Sequence, residues 1–229
     1  MDYDLSVIIP ALNEEENIEA LIDHIYQEEV RAEIIVSDGR SNDNTAEIAK
    51  SKGAVVVSGT PGRGAQLNRG AEAASASILM FLHADSRLEK GALSKMVEQM
   101  GQDKDLIGGC FKLKISSQNS LLKFISWSSN LRAKYLKLIF GDQGIFVRRD
   151  VFNELGGFPE IELMEDWEFS KRMAKKGRLL FVDKKIYTSA RRWENHGVLK
   201  TIILMHKIKI LYKLGISPSK LKEIYRDAR

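Results

Sequence analysis

Apolar and polar residues alternate along the first half of the chain in a repeated order: a short apolar run, a polar loop and a segment with helical spacing. The apolar runs are rich in β-branched residues and stop at proline or at polar residues, which is typical of strands buried on both faces. Four such strands are predicted, at residues 5–10, 33–37, 54–57 and 78–82. Because strands that alternate with helices join through right-handed crossovers, we expect an α/β fold with one mostly parallel sheet and helices on both faces.

The second half of the chain has a looser pattern. Strands are predicted at residues 108–115 and 141–147, and helical spacing is found at 120–138 and 165–176. A single helical turn is expected at 150–154. This half therefore adds both strands and helices to the α/β pattern.

Length and composition indicate one large globular domain. The 229 residues, 44% of them hydrophobic and 29% charged, are enough to bury a core without metals or disulfides. No repeat or low-complexity linker divides the chain, so we expect one domain at residues 1–195 followed by a basic helical tail at 196–229. The single cysteine, Cys110, excludes an internal disulfide and suits a reducing compartment.

The location of the protein can be predicted from its apolar runs and its first residues. No run reaches the roughly 18 apolar residues that span a bilayer. The chain starts with acidic residues, Asp2 and Asp4, where a signal peptide would be basic. We therefore expect a cytoplasmic protein.

Charge is distributed unevenly between the two halves. The net charge is +4, but residues 1–110 carry 10 basic and 19 acidic side chains, whereas the remainder carries 25 and 12. A basic half of this kind favours a partner with an anionic surface, such as a lipid headgroup or a nucleic acid. The second half is therefore the expected site of such a contact.

The tail at 196–229 combines basic and apolar residues, which fits a peripheral contact with the inner face of the cell membrane. However, Lys200 and Lys207 fall on nearly the opposite helix face from Lys209 and Lys213, so the helix is not cleanly amphipathic. Docking onto the domain, or a contact within a homodimer, is the favoured alternative. Nucleic acid is a poorer partner because the tail lacks interleaved aromatic residues for stacking.

Polar residues follow the predicted strands of the first half. Asn13, Asp38, Arg63 and Asp85 each come just after a strand, and ligands of open α/β sheets bind beyond the carboxyl ends of the strands. Carboxylates at this edge suit a hard cation such as Mg²⁺, which takes further ligands from phosphates and water. The alternative for each residue alone is that it caps the helix that follows.

The segment 61–70 has the ingredients of a diphosphate site. It combines glycine backbone, a helix N-terminus and the polar side chains Arg63, Gln66 and Asn68. It is not a Walker loop, and no Gly-x-Gly-x-x-Gly follows the first strand, which disfavours a dinucleotide. A glycine-rich turn with solvated arginines is the alternative.

These segments together resemble the family 2 glycosyltransferases with the GT-A fold, over residues 5–195. Val-Ile-Ile-Pro-Ala-Leu-Asn-Glu at 7–14 is similar to their first strand and Pro-x-x-Asn-Glu signature, and 38–45 and 63–70 are similar to their nucleotide-binding segments. The resemblance implies inverting transfer from a nucleotide sugar, with a nucleotide-sugar half at 1–110 and an acceptor half at 111–195. It assigns donor binding to these residues: Pro10, Asn13, Glu14, Asp38, Arg63, Gln66 and Asn68.

His83, Ala84 and Asp85 stand where the family carries Asp-x-Asp. The resemblance therefore implies that Asp85 binds the metal and that His83 and Ala84 line the donor site. Because His83 replaces a carboxylate, it is either a second ligand, which would favour Mn²⁺ over Mg²⁺, or a histidine satisfied within a polar strand end.

Gly-Asp-Gln-Gly at 141–144 and Met-Glu-Asp-Trp at 164–167 resemble the acceptor-side segments of the family. By this resemblance Asp166 is the catalytic base that takes the acceptor proton, and Glu165 orients it or contacts the acceptor. The resemblance places three further residues on the acceptor side: Asp142, Gln143 and Gly144. The alternative for the acidic pair is a helix start favoured by the dipole.

Arg192 and Trp193 are similar to the end of the Gln/Arg-x-x-Arg-Trp motif of related synthases, although Ser189 occupies its first position. The resemblance implies that Arg192 helps to stabilise the departing diphosphate and that Trp193 lies on the donor side. A surface arginine beside a packed tryptophan is the alternative.

The sequence thus predicts a metal-assisted transferase that moves a sugar, from a UDP-sugar, to a small or lipid-like hydroxyl acceptor. The subgroup it most resembles is that of arsenosugar biosynthesis, through His-Ala-Asp, Gly-Asp-Gln-Gly and Ser-Ala-Arg-Arg-Trp. Two alternatives remain. A sugar nucleotidyltransferase would carry a glycine-rich basic loop where residues 10–14 stand, and a non-enzymatic module would bind an anionic membrane or nucleic acid through the basic half.

Overall fold

The computed structural model describes residues 3–190, 193 and 197–227. Their strands form one eight-stranded sheet in the order β3-β2-β1-β4-β7-β6-β8-β5. The strands are β1 Leu5–Ala11, β2 Ala32–Asp38, β3 Val55–Ser58, β4 Ile78–Phe81, β5 Arg87–Leu88, β6 Leu106–Ser116, β7 Ile145–Arg148 and β8 Arg178–Ser189.

Helices cover the sheet and extend beyond it at the carboxyl end of the chain. They are α1 Glu15–Tyr26, α2 Thr45–Ser51, α3 Arg63–Glu72, α4 Ala92–Gln102, α5 Ser120–Leu136, α6 Arg149–Glu154, α7 Glu165–Lys176, α8 Val198–Lys213 and α9 Pro218–Asp227. The predicted strand at 141–147 is instead a 3₁₀ turn, Gly141–Gln143, followed by β7. The turn interrupts the strand because Gly144 adopts a left-handed conformation, with φ of 63°.

The first half of the sheet is parallel, as predicted. β1 pairs in parallel with both β2 and β4, and β2 pairs in parallel with β3. In this register Ala11 lies beside Asp38 and Asp38 beside Ser58. The loops that follow these strands therefore meet at one edge of the sheet, which we call the carboxyl edge.

The second half of the sheet is mixed. β7 runs antiparallel to both of its neighbours, β4 and β6, whereas β8 runs parallel to β6 and antiparallel to β5. Neither β5 nor β8 was predicted, since β5 has two residues and β8 has a half-buried, irregular pattern. The α/β class with helices on both faces is confirmed, but the parallel order stops where β7 enters the sheet.

The two faces of the sheet carry separate hydrophobic clusters. Val7 and Ile9 of β1 pack with α1 and α4 on one face, while Ile8 packs with α3, α6 and α7 on the other. This alternation follows from the period of two along a strand. It explains why the strands have continuous apolar runs.

The tail packs against the rest of the chain. Ile208 of α8 and Leu221 of α9 are buried with Met164 and Trp167, at the start of α7. Of the alternatives that the sequence leaves open for the tail, docking onto the domain is what its described residues show. Within the described part of the chain, none of the helices has the length and apolar character needed to cross a bilayer.

Candidate active site

The loops after β1 and β2 are bonded to each other at the carboxyl edge. The backbone N–H of Asn13 donates to Ser41 Oγ at 2.9 Å, and Asn13 Oδ1 accepts from the N–H of Asn42 at 2.9 Å. The N–H of Glu14 donates to Thr45 Oγ1 at 2.8 Å. Asn13 has a left-handed φ of 56°, which asparagine tolerates better than most residues. These contacts hold Asn13 and Glu14 next to the loop that follows β2.

Asp38 is buried and shapes the loop that follows it. Its Oδ2 accepts from the N–H of Arg40 at 2.9 Å, and its Oδ1 accepts from Ser41 Oγ at 2.5 Å. Arg40 is held at a left-handed φ of 65°. Asp38 therefore does not cap α2, which begins at Thr45, but bonds groups of the loop itself, and its predicted contact with a nucleotide base stays a prediction. Pro10, in β1, is half-buried and lies beside Ser37 of β2.

Gln66 and Asn68 face backbone atoms of the protein. Gln66 is buried, and its Nε2 donates to the carbonyls of Ala11 and Ser37, each at 2.9 Å. Asn68 both accepts from the N–H of Phe158, at 2.8 Å, and donates to its carbonyl, at 2.9 Å. These two side chains tie α3 to the strand ends and to the loop before α7. In this structure both side chains stabilise the backbone near the carboxyl edge through hydrogen bonds. A direct contact with a donor stays a prediction.

Arg63, at the start of α3, connects the donor-side and acceptor-side predictions. Its Nη2 lies 2.5 Å from His83 Nε2, and its Nε lies 3.5 Å from Glu165 Oε1. Arg63 is partly exposed, whereas the Glu165 side chain is buried. Residues that are far apart in the sequence therefore form one polar cluster at the carboxyl edge.

The predicted metal ligands differ in their surroundings. Asp85 is exposed beyond β4, and its carboxylate makes no hydrogen bond or ion pair with the residues that the structure describes. The His83 ring faces the Arg63 guanidinium, a cation, so it does not fit a metal ligand in this arrangement. No group of three or more His, Cys, Asp or Glu side chains in the described ranges could hold a metal ion. The chain thus fits a metal bound by Asp85 together with oxygen atoms of a ligand, while Ala84 is buried next to it.

Asp166 is held in place at the start of α7. Its Oδ2 accepts from the N–H of Gly141 at 2.8 Å, and its Oδ1 accepts from the N–H of Trp167 at 2.7 Å. A Cβ atom on Gly141 would lie 2.8 Å from His83 Nε2 and 3.5 Å from Asp166 Oδ2. The absence of a side chain at Gly141 therefore lets the acceptor-side carboxylate approach the histidine that follows β4.

Glu165 is the buried member of the acidic pair. Burial raises its pKa to about 7, the neighbouring charge of Asp166 adds to the increase, and Arg63 opposes it. A carboxyl group with this pKa exists in both protonation states near neutral pH. The pair therefore combines one buried group that titrates near neutrality with one carboxylate held by two backbone N–H groups.

The 3₁₀ turn Gly141–Gln143 adds a further, half-buried acid. Burial raises the pKa of Asp142, Arg132 counteracts this and Asp166 reinforces it. Asp142 Oδ1 is buried without a hydrogen-bond partner among the described residues. Gln143 is fully buried, and its Oε1 accepts from Arg132 Nη2 at 2.9 Å. The structure thus brings Asp142 and Gln143, followed by Gly144, next to the start of α7, and their place on the acceptor side stays a prediction.

Two basic residues of this cluster were missed by the sequence analysis. Arg132 of α5 lies over the ring of Phe140, 4.3 Å from its centroid, and Lys209 of α8 lies 5.0 Å from the same centroid. Burial lowers the pKa of Lys209 to about 8, and the neighbouring Arg132 lowers it further. No motif marks either residue, because their proximity depends on where α5 and α8 pack. The tail therefore contributes a cation to the predicted acceptor side.

Arg192 lies outside the described residues. Trp193 is partly buried against the hydrophobic cluster on the α1 and α4 face, and its N–H donates to the carbonyl of Ala190 at 2.8 Å. This packing matches the alternative of a packed tryptophan, and a part in donor binding stays a prediction.

Comparison with known proteins identifies the family. A family model described as Glycosyl transferase family 2 matches residues 6–156, which is more than half of the chain. The chain therefore belongs to glycosyl transferase family 2. This assignment favours a transferase over the nucleotidyltransferase and the non-enzymatic alternatives. The match to the family model does not show membership of the arsenosugar subgroup.

Individual relatives agree with this assignment. The chain is 35% identical over 106 residues to an uncharacterized glycosyltransferase of Mycobacterium bovis, covering 46% of this chain and 47% of that protein. The chain thus spans about half the length of the curated relatives it matches.

Solved structures support the GT-A-like fold. Mannosyltransferase PcManGT from Pyrobaculum calidifontis, in complex with GDP-Man and Mn²⁺, is 20% identical with a TM-score of 0.73, covering 100% of this chain and 70% of that one. Glucosyl-3-phosphoglycerate synthase from Mycobacterium tuberculosis, in complex with Mn²⁺, UDP and glucosyl-3-phosphoglycerate, is 22% identical with a TM-score of 0.57, covering 80% and 70%. At this identity the similarity demonstrates the fold alone.

Proposed function

We propose that this protein is an inverting, metal-assisted glycosyltransferase that moves a sugar from a UDP-sugar to a hydroxyl acceptor. The observation that carries the proposal is the position of Asp166, whose carboxylate is fixed by the N–H of Gly141 at 2.8 Å while the same glycine lies against His83 at the end of β4. A candidate base is thereby held next to the carboxyl edge of a nucleotide-binding type of sheet.

The donor lies across the carboxyl edge in this proposal. The nucleoside occupies the loops after β1 and β2, near Pro10, Asn13, Glu14 and Asp38. These loops are held together because Asn13 and Asp38 both bond to Ser41. The diphosphate lies toward the N-terminus of α3, where Arg63 supplies positive charge. Gln66 and Asn68 contribute by fixing the backbone of this edge. Similar folds carry GDP-Man or UDP, which supports a nucleotide-sugar donor.

Asp85 is the side chain that would hold the metal, because its carboxylate is exposed and without a partner in the described part of the chain. A divalent cation, Mg²⁺ or Mn²⁺, supplies charge stabilisation of the departing nucleoside diphosphate when bound. The occurrence of Mn²⁺ in two structures of similar fold supports this requirement. Arg63 acts on the same developing charge from the protein, and Arg192 is proposed to do so as well.

Asp166 is the proposed base. It takes the proton of the acceptor hydroxyl while that oxygen bonds to the anomeric carbon and the bond from this carbon to the diphosphate oxygen breaks. A single displacement of this kind inverts the anomeric configuration. The two N–H groups that hold Asp166 prevent its rotation away from the acceptor. Glu165 contacts the acceptor or orients Asp166.

The acceptor binds between α5, the 3₁₀ turn and α8 in this proposal. Asp142, Gln143 and Gly144 lie beneath this region, and Arg132 and Lys209 border it, both close to the ring of Phe140. The acceptor is a small or lipid-like hydroxyl compound. Membership of the arsenosugar subgroup is part of the proposal, and three sequence motifs support it: His-Ala-Asp, Gly-Asp-Gln-Gly and Ser-Ala-Arg-Arg-Trp.

Calorimetric titration with UDP and with GDP, each with and without Mg²⁺ or Mn²⁺, tests the donor site. We expect UDP to bind in a metal-dependent manner and this binding to be lost in Asp85→Ala and weakened in Asp38→Ala. Asp105→Ala is the matched control, since Asp105 is an exposed carboxylate just before β6, at the opposite edge of the sheet. Absence of nucleotide binding by the folded protein under all conditions would refute the proposal. Release of UDP from UDP-sugars, and the anomeric configuration of the product, then test transfer and inversion.

A further inference from the structure

Helix α5 has its large apolar side chains on the outside of the protein. Its buried positions are Leu122, Ser126, Ser129 and Ala133, which recur every three or four residues and are mostly small or polar. The opposite face exposes five large side chains, with exposed fractions between 37% for Leu131 and 69% for Tyr135: Leu121, Phe124, Trp127, Leu131 and Tyr135. We call these five residues the α5 outer face. The helix is therefore amphipathic, but its apolar face is exposed, whereas a helix that packs on a core usually buries its apolar face.

The inner face explains why α5 is nevertheless held in place. Asn130 Oδ1 accepts from the N–H of Leu113 at 2.8 Å, and Asn130 Nδ2 donates to its carbonyl at 3.0 Å. Ser126 Oγ accepts from the N–H of Ile115 at 3.0 Å. These polar side chains satisfy the backbone of β6 on the side facing α5. Because these hydrogen bonds, together with the burial of Leu122 and Ala133 in the two hydrophobic clusters, hold α5 in place, the outer face is not required for packing within this domain.

The segment of the chain that contains α5 is strongly basic. Between Asp105 and Asp142 the chain carries six basic residues and no acidic one. Lys123, Lys134 and Lys137 are exposed on or directly after α5. An exposed apolar face with aromatic residues and lysines is the composition of helices that lie in the interface of an anionic membrane.

We infer that the α5 outer face is a peripheral membrane-binding surface that binds the headgroup region of an anionic bilayer. Its apolar side chains enter the boundary between headgroups and acyl chains, while the lysines contact the lipid phosphates. This surface goes beyond the transferase reaction and is distinct from the tail at 196–229. Arg132 on the same helix belongs to the cluster around Phe140, so membrane contact would bring the predicted acceptor side close to the lipid surface.

Charge complementarity favours a bilayer over a second copy of this chain. A symmetric dimer through α5 would bring the lysines of the two copies, Lys123, Lys134 and Lys137, to the same interface, and residues 106–141 contain no acidic side chain to pair with them. Nucleic acid would use the lysines, but the aliphatic Leu121 and Leu131 offer it no stacking surface. An anionic membrane uses both the charged and the apolar residues.

Sedimentation with lipid vesicles tests the inference without donor or acceptor. We expect the protein to bind vesicles containing about a third phosphatidylglycerol, to bind pure phosphatidylcholine much more weakly, and to lose affinity as salt is raised. The triple variant Phe124→Ser/Trp127→Ser/Leu131→Ser should reduce partitioning at least about tenfold. Lys123→Gln/Lys134→Gln should reduce the preference for anionic vesicles. Thermal melting and UDP titration of each variant test whether it is folded. We expect all of the variants to fold, because none of the substituted side chains belongs to the inner face of α5.

A matched control uses two exposed apolar residues outside α5, one in α1 and one in β3. Tyr26→Ser/Val55→Ser removes two apolar side chains that are about as exposed, at 49% and 50%, and should leave vesicle binding unchanged. A second comparison, Leu199→Ser/Ile203→Ser, tests the tail, since both residues are exposed on α8.

Four outcomes would overturn the inference. They are no binding of wild-type protein to anionic vesicles, equal binding by the triple variant, binding lost only in the α8 variant, and a wild-type dimer that the triple variant dissociates. The vesicle result does not depend on catalysis, so its failure would be distinguishable from failure of the proposed transferase activity.

Discussion

Arg63 and Glu165 face each other across the candidate active site, with Nε and Oε1 separated by 3.5 Å. Arg63 begins α3, on the predicted donor side, and Glu165 begins α7, on the predicted acceptor side. The ion pair therefore joins two parts of the chain that sequence reasoning assigns to different substrates. The Glu165 side chain is buried, so the pair is shielded from water on the glutamate side.

Protonation of Glu165 makes stability depend on pH. Its pKa is raised from an ordinary value of 4.5 to about 7, mainly by burial, so its protonated form is favoured in the folded state. The stabilising contribution is present below pH 4.5 and is lost as the pH rises through about 7. In Glu165→Gln this loss is absent. We expect the variant to gain stability relative to wild type between these pH values, by at most about 1.4 kcal/mol per pH unit, measured by urea unfolding.

Above pH 7 the difference between the two proteins should stay constant. A difference that is flat from pH 4.5 to 7 would contradict the raised pKa. Glu162→Gln is the control, because the pKa of this exposed carboxyl group is lowered, mainly by its hydrogen bond from Ser219. Its contribution should therefore change in the opposite direction and at lower pH.

Asp166→Asn tests the proposed base. The asparagine is similar in shape but does not take a proton from the acceptor, so kcat should fall about 100- to 10,000-fold while the Kd for UDP changes little. The matched control is Asp150→Asn, because Asp150 Oδ1 accepts from the following N–H at 2.8 Å just as Asp166 Oδ1 does at 2.7 Å. Since β7 runs antiparallel to β4, Asp150 lies at the opposite edge of the sheet. Unchanged kcat in Asp166→Asn would remove this residue from the mechanism.

Gly141→Ala tests the close approach between the acceptor-side turn and β4. The new Cβ atom would lie 2.8 Å from His83 Nε2, so the turn or the histidine has to move. We expect a loss of transfer activity of at least about tenfold, because small displacements of reacting groups are costly. Gly101→Ala is the control: no heavy atom lies within 4 Å of the added Cβ, and alanine in α4 should stabilise the protein by about 0.5–1 kcal/mol. Kinetics and thermal unfolding of both variants give the comparison.

Gln66→Leu separates support of the carboxyl edge from contact with the donor. The substitution removes the donor that bonds the carbonyls of Ala11 and Ser37, and it should lower the free energy of unfolding by about 1–3 kcal/mol. Gln102→Leu, at the exposed end of α4, should change it by no more than about 0.5 kcal/mol. Urea denaturation measures both. A variant of Gln66 that is fully stable but binds UDP poorly would instead indicate direct contact with the donor.

Lys209 links activity to pH through the tail. Its pKa is lowered to about 8, mainly by burial, so its charge is lost as the pH rises through that value. If the cation supports the acceptor side, kcat/KM of wild type should decline above about pH 8, and Lys209→Arg should move this decline to higher pH. Lys213→Arg, one turn further along α8 and 5.7 Å from the ring centroid of Trp167, is the control. Identical pH profiles for all three proteins would exclude a contribution of Lys209.

The local pattern was sufficient for many of the elements. The parallel strands β1 to β4 have continuous apolar runs, although β3, at the edge of the sheet, is half-exposed rather than buried on both faces. Helix α7 was predicted with the bounds that the structure gives, Glu165–Lys176. The sequence missed β8, because its half-buried residues and its register shift against β6 do not produce a regular period. β5 has only two residues and forms through its pairing with β8.

Local sequence patterns were enough to show which polar residues follow the strands and which acidic pair begins α7, since these are properties of loops and helix starts. The contacts of Arg63 with both His83 and Glu165, and those of Arg132 and Lys209 with the ring of Phe140, became visible only in the folded chain. The same is true of the hydrogen bonds that the side chains of Gln66 and Asn68 form with backbone atoms of the protein. The physical reason is that side-chain contacts between distant segments depend on the packing of α3, α5, α7 and α8. No pattern within a single segment contains that information.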